Sequence, residues 1–261
     1  MPGRVDYDRI SERYDSHRGW EEATPRRLLR LATGEETAFA KPRSAQAAPR
    51  PPILEIGCGT GNLTQWLCRF WPGPVAALDA SRGMLAKARA KLAGPWLVRA
   101  DATRLPFADR TFTAALGTFV LHHLDAPGCQ RMFAELRRAL RAHGGIAFLT
   151  TSHAQIKNAC LTRWFPSFAK IDCARFPDLP ELRAEISAAG FASMGTEEVV
   201  RSTPRGDAAY LAKVKARFIS TFELLPPSEF DAGIAAMEKQ LAAAGHLGDV
   251  SWHGTIVYAR V

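Results

Sequence analysis

The chain is poor in several things, and each scarcity excludes something. No apolar run approaches the ~18 residues that a membrane-spanning helix needs. The opening, MPGRVDYDRISERYD, is too polar to hold the apolar region of a secretory signal. Only five cysteines are present (Cys58, Cys68, Cys129, Cys160 and Cys173), with no close-spaced pair among them. That rules out a disulfide scaffold and suits reduced thiols in a cytoplasmic protein. His and carboxylate residues show no metal-ligand spacing, and no repeat of 20–50 residues recurs. A dense basic stripe with interleaved aromatics, the usual mark of a nucleic-acid binder, is also missing.

What is present describes an ordinary globular chain. Its 261 residues accommodate one large domain, or one domain with a modest insertion. A hydrophobic fraction of 47% against 23% charged is enough for a core without staples. The net charge is +8, but the arginines are scattered, in short clusters such as Arg26-Arg27 and Arg137-Arg138. Such a charge fits solvated faces and leaves room for an acidic small acceptor or an acidic protein partner.

Patterning divides the chain. Residues 6–32 carry helical signals (Tyr7, Ile10, Tyr14, Leu28, Leu29, Leu31), and the Pro- and Ala-rich stretch 33–52 reads as a linker. From Pro52, short apolar runs alternate with amphipathic segments. Strands are predicted at 53–56, 75–78, 96–100, about 113–120 and 146–150. Helices are predicted at 62–70, 81–92 and 127–141, the last stopping at Gly144-Gly145. This alternation predicts a doubly wound, mostly parallel α/β sheet. Beyond Ser152 the pattern loosens: a helix over 177–190, a strand over 197–201, two helices within 206–245 broken at Pro226-Pro227, and a closing strand over 250–261. The domains expected are therefore a helical cap and linker (1–50), an α/β core (51–205 and 246–261) and a helical lid (206–245) over the edge where open α/β sheets bind ligands.

Chemistry concentrates at three strand ends. Glu55-Ile56-Gly57-Cys58-Gly59-Thr60-Gly61 joins the first strand to the first helix, and its glycines let the backbone turn sharply. A dinucleotide fingerprint needs its third glycine at position 62, which is Asn62. Asp79 closes the second strand at a distance suited to ribose hydroxyls, and Asp101 closes the third. Either acid alone also fits a helix cap or a solvated loop.

The segments LEIGCGTGNLT, LDASRGMLAKAR, RADATRLPFADRTFTAAL and FVLHHL resemble those of class I S-adenosylmethionine-dependent methyltransferases, in the small-molecule, ubiquinone/menaquinone-biosynthesis-type branch. YDRISERYD is similar to the cap helix that opens such enzymes. Motif similarity covers residues 7–18 and 53–150. The resemblance implies a seven-stranded Rossmann-like sheet with S-adenosylmethionine as cofactor and S-adenosylhomocysteine as product. Glu55, Gly57, Gly59 and Gly61, with Cys58 between them, would line the methionine part. Asp79 would hold the ribose, Ala80 and Met84 would border the adenine, and Asp101 and Ala102 would meet its edge. Thr118 would lie near the sulfonium, and Tyr14 would close over the cofactor. Met84 equally fits core packing with Leu85 and Ala88.

Methyl transfer needs alignment first, and a base only where the acceptor must lose a proton. The candidates for that base are His122 and His123, just past the fourth strand. Neighbouring strand residues face opposite sides, which would turn only one of the pair to the pocket. His153, His17 and Arg18 are secondary candidates. Trp164, Phe165 and Phe168 could shape an acceptor pocket or simply pack. The Asn/Asp-Pro-Pro-aromatic tetrapeptide of many DNA amino-methyltransferases is absent, so a small-molecule acceptor leads over RNA or protein. A cofactor-binding module without catalysis, or a nicotinamide dehydrogenase, are further alternatives, and the chain is expected to be a monomer or homodimer.

Overall fold

The computed structural model describes residues 7–10, 21–35 and 50–261, with no side-chain description for residues 9 and 10. Its helices are α1 (Tyr7–Ile10), α2 (Ala23–Thr33), α3 (Thr64–Phe70), α4 (Arg82–Lys91), α5 (Ala126–Ala139), α6 (His153–Lys157), α7 (Phe168–Cys173), α8 (Leu179–Ala188), α9 (Ala208–Lys215) and α10 (Pro227–Ala244). The strands are β1 (Ile53–Ile56), β2 (Val75–Asp79), β3 (Trp96–Arg99), β4 (Phe112–Thr118), β5 (Leu140–Thr150), β6 (Ala192–Arg201) and β7 (Trp252–Arg260). They form one seven-stranded sheet in the order β3-β2-β1-β4-β5-β7-β6. β1 to β5 pair in parallel, and β7 runs antiparallel between β5 and β6. The chain order reverses between β1 and β4, which opens a crevice at the carboxyl ends of those strands.

Alternation of side chains along the strands builds a core on each face. Ile146 and Phe148 of β5 pack with α5 and α8, through Met132, Phe133, Leu136, Leu182 and Ile186. Ala147 and Leu149, from the same strand, face the other way onto Leu28 and Leu29 of α2 and Leu67 of α3. The sheet is thus covered on both sides, as the apolar strands require.

Two boundaries differ from the sequence pattern. Gly144-Gly145 does not stop α5. That helix ends at Ala139, and the two glycines lie inside β5, where the register shifts against β4. A Cβ on Gly145 would stand 2.6 Å from the Ala32 carbonyl oxygen, so glycine there lets the end of α2 rest on the sheet. β6 begins at Ala192, ahead of the apolar residues that mark it, because Ser193-Met194-Gly195-Thr196 is polar and bulged.

A third core lies outside the sheet. Leu161, Trp164, Phe165 and Phe168 pack with Leu211 and Val214 of α9, Phe222, and Phe230 and Met237 of α10. This helical unit is drawn from two separate segments, so its apolar faces meet only in three dimensions. Phe165 is its centre, fully buried, with its ring 5.3 Å from that of Phe222 and 5.9 Å from that of Phe230.

Gly233 of α10 lies against Phe165, and a Cβ there would collide with that ring and sit 2.8 Å from the Trp164 carbonyl oxygen. Gly233→Ala should lower stability by about 1–3 kcal/mol, the usual cost of overpacking. Urea denaturation is the measurement; an unchanged midpoint would show that α10 does not press on Phe165.

Candidate functional site

The glycine loop comes first because it sets the backbone at the crevice. Gly57, Gly59 and Gly61 all take positive φ, at +68°, +54° and +84°. At Gly57 a Cβ would also stand 2.7 Å from the Val120 side chain, so a larger residue is excluded on both counts. The loop is laced to the next strand by Asp79. The Gly59 N–H donates to Oδ2 of Asp79 at 2.7 Å, and the Ser81 N–H donates to Oδ1 at 2.8 Å. Asp79 does not cap α4. Ser81 does so, its hydroxyl accepting from the Met84 N–H. Burial raises the Asp79 pKa, and the backbone donors oppose that rise.

Glu55 lies beneath the loop, 1% exposed, and accepts the Thr64 hydroxyl at 2.7 Å. Burial, helped by the negative charge of Asp79, pushes its carboxyl up to about 8. Cys58 is buried, and burial drives its thiol pKa far upward, which removes it as a nucleophile.

The remaining predicted positions spread along the same edge. Asp101 is exposed and folds onto its own turn, accepting from the Thr103 N–H and hydroxyl at 2.8 and 2.9 Å. Ala80 is exposed and Ala102 packs against the larger core. Met84 is 1% exposed. Helix α1 sits above this group: Asp8 accepts from the Ser81 hydroxyl and from the Gly83 N–H at 2.8 Å, at the start of α4. Tyr14, His17 and Arg18 lie outside the described residues.

A cavity of about 570 Å³ runs from the glycine loop to the helical unit. Glu55, Gly57, Cys58, Gly59 and Thr118 stand in its wall, whereas Gly61, Asp79, Ala80, Met84, Asp101 and Ala102 do not. Past β4 the chain enters a 3-10 turn, Leu121–His123, in place of continued strand. His122 lines the cavity and stacks on Phe176, with ring centroids 4.2 Å apart. His123 is exposed and meets the edge of Tyr7 at 4.8 Å. The turn leaves the two rings in contact, with centroids 3.9 Å apart, and of the pair His122 belongs to the cavity wall. His153 ties α6 to the segment before α8: its Nε2 bonds the Phe176 carbonyl at 2.8 Å, and its backbone N–H donates to Asp178.

Sequence reasoning passed over several wall residues. Phe119 adopts φ +52° at the end of β4, an uncommon conformation for a bulky side chain, and its ring meets Trp252 at 5.6 Å. Asp172, Tyr210 and Trp252 also line the cavity. None has a sequence signal, since each belongs to a segment read as loose helix or closing strand.

The arrangement pairs two ends of different chemistry. The carboxyls of Glu55 and Asp79 and the loop's carbonyls stand at the glycine-loop end, with Lys91 reaching Asn62 just past it, and the carboxyls suit a cation and ribose-like hydroxyls better than a pyrophosphate. Aromatic side chains dominate the other end.

Residues 53–144 match a family model described as a methyltransferase domain. A ubiquinone/menaquinone biosynthesis C-methyltransferase of Desulfotalea psychrophila is 35% identical over 104 residues, 38% of this chain and 41% of that protein, so the match spans less than half of that relative. A demethylmenaquinone methyltransferase of Clavibacter sepedonicus is 29% identical over 217 residues, covering 74% of this chain and 84% of the relative. Among solved structures, a protein described as a methyltransferase from an antibiotic biosynthesis pathway of Anabaena variabilis superposes with a TM-score of 0.64, at 18% identity, over 91% of this chain and all of that one. At that identity the likeness shows the fold.

The raised Glu55 pKa has a stability consequence. The folded carboxyl holds its proton up to about 8, while the unfolded one loses it near 4.5. Between those values the folded state binds more protons, so stability falls as pH rises through the window. Glu55→Gln keeps the Thr64 contact and removes the titration. It should gain on the wild type by a few kcal/mol as pH climbs from about 4.5 to about 8, read by denaturant midpoints. A constant difference across that range would mean that Glu55 ionises normally.

Proposed function

We propose that the chain, whose residues 53–144 match a methyltransferase domain, is a class I S-adenosylmethionine-dependent methyltransferase that transfers a methyl group to a small, largely apolar acceptor held between the sheet edge and the helical unit. The observation that carries this reading is the single cavity shared by the acidic glycine-loop end and the aromatic lid end. The residues present fit the cofactor. Glu55 and the loop carbonyls would face its methionine part. Asp79, already holding Gly59 and Ser81, would present its carboxylate edge to the ribose, with Ala80, Met84, Asp101 and Ala102 around the adenine. Thr118, at the end of β4, would lie beside the sulfonium. When bound, S-adenosylmethionine supplies an electrophilic methyl carbon on a cationic sulfur.

The protein's own part is alignment and exclusion of water. Phe168, Phe176, Phe218 and Trp252 form an apolar wall for the acceptor's body, and His122 stands at the junction of the two ends. Lys213 and Arg201 also belong to the cavity's wall, which accommodates an acidic substituent. A cavity walled by both sheet edge and lid suits a small acceptor better than a polymer. The names of the two relatives, both for quinone-biosynthesis methylation, support the same class. The reading extends to the cytoplasm, whose reducing poise suits five free thiols.

Calorimetric titration with S-adenosylhomocysteine should show saturable one-site binding, with NAD silent. Asp79→Ala should weaken that binding by about 1–3 kcal/mol, the cost of stripping a hydrogen-bonding partner from buried hydroxyls. Wild-type affinity in a folded variant would remove Asp79 from the site.

A further inference from the structure

One carboxylate at the acceptor end is unaccounted for by the cofactor. Asp172 lies on α7, 6% exposed, and forms part of the cavity wall. It faces a polar group brought from elsewhere in the chain. The Thr221 hydroxyl donates to its Oδ1 at 2.8 Å, and the Arg175 guanidinium contacts the same oxygen at 3.3 Å. Arg175 continues to the Ser220 hydroxyl at 3.1 Å. Among the described residues Oδ2 accepts no hydrogen bond, which leaves it for the cavity. One turn further on, Phe176 lines the same cavity and stacks on His122. Asp172, near the end of α7, and Phe176, just beyond it, therefore both stand in the cavity wall.

We propose that Asp172 is the group that takes the acceptor's proton, and that the acceptor is an apolar molecule presenting a hydroxyl or amine to the lid. The inference rests on the methyltransferase reading and adds the base and the acceptor's reacting group to it. The acceptor's O–H, or an N–H of its ammonium form, gives its proton to Oδ2. The freed lone pair forms the bond to the methyl carbon, and the methyl–sulfur bonding pair stays on sulfur, cancelling its positive charge. Asp172 releases the proton to solvent as product leaves.

Thr221 and Arg175 occupy one oxygen, holding the carboxylate in place while the other stays available. Burial raises the Asp172 pKa toward the range of an effective base, while Thr221 and Arg175 restrain the rise. Elements packed on α7 also carry His153, Lys157, Cys160, Arg163 and Glu223, but Arg175 is the charge that acts on Asp172.

The test uses the full chain with labelled S-adenosylmethionine and two sets of simple probes. Phenol, benzyl alcohol and benzylamine must give up a proton; benzoate and 4-nitrophenol, both anions at mildly alkaline pH, need not. Wild type should methylate at least one of the first set. Asp172→Asn should lose that transfer by roughly 10²–10⁴-fold, while a folded variant keeps its S-adenosylhomocysteine affinity and loses no rate on the anionic set. Calorimetry on the S-adenosylhomocysteine complex supplies a readout without turnover: the variant should bind phenol more weakly and 4-nitrophenolate more tightly, because the repelling carboxylate is gone. Should Asp172→Asn not fold, Thr221→Val retains the carboxylate and removes a donor that lowers its pKa, so the acid limb of transfer should move to higher pH. Equal losses on both sets, no loss on either, an unmoved acid limb in Thr221→Val, or transfer by wild type to none of the protonated probes would overturn the proposal. Failure of wild type to bind S-adenosylhomocysteine would instead remove the methyltransferase reading beneath it.

Discussion

The Asp79 carboxylate is the tie on which the site depends. Its two oxygens accept amide protons from Gly59, in the loop after β1, and from Ser81, at the start of α4. One side chain thereby sets the distance between two βα turns that have no covalent reason to stay together. The glycines make this possible, since three residues at positive φ bring the loop amide to the carboxylate without a Cβ in the way. Ser81 takes over the capping of α4, which releases Asp79 for the loop. Asp8 on α1 then docks on the same Ser81 and Gly83, so the cap rests on a surface that Asp79 has already shaped.

The acidic end is electrostatically costly, and its cost has a chemical use. Glu55 is buried and Asp79 half-buried near it, and each carboxyl is harder to ionise for it. A bound cation would relieve that burden, whereas a second anion would add to it. Two carboxyls at a glycine loop favour a ligand that brings positive charge. At the opposite end, the rings of Phe119, Phe168, Phe176, Tyr210 and Trp252 line the cavity, and Asp172 and Thr221 stand among them.

The core was readable from sequence because its determinants are local. The β1 to β5 alternation follows from short apolar runs between turn signals, and Gly57, Gly59 and Gly61 declare their backbone by residue type. The errors are equally physical. Gly144-Gly145 looks like a helix stop, but it is the close approach of α2 to β5 that demands small residues there. His122 and His123 fall in a 3-10 turn that no two-residue periodicity announces, their rings 3.9 Å apart and His122 alone of the two in the cavity wall. β6 hides its first half because a bulged, polar segment carries no alternation.

By itself, then, the sequence determined the doubly wound order of strands and helices and the glycine-and-acid edge where a cofactor belongs, since each depends on neighbours within a few residues. Only the tertiary structure decided the acceptor end. Its wall joins Phe119 and His122 to Asp172 and Phe176, then to Thr221 and Trp252, across more than a hundred residues of chain. The spacing of those groups is set by how the helical unit packs around Phe165 and settles on the sheet, and packing of distant segments leaves no periodic trace in the chain that folds into it.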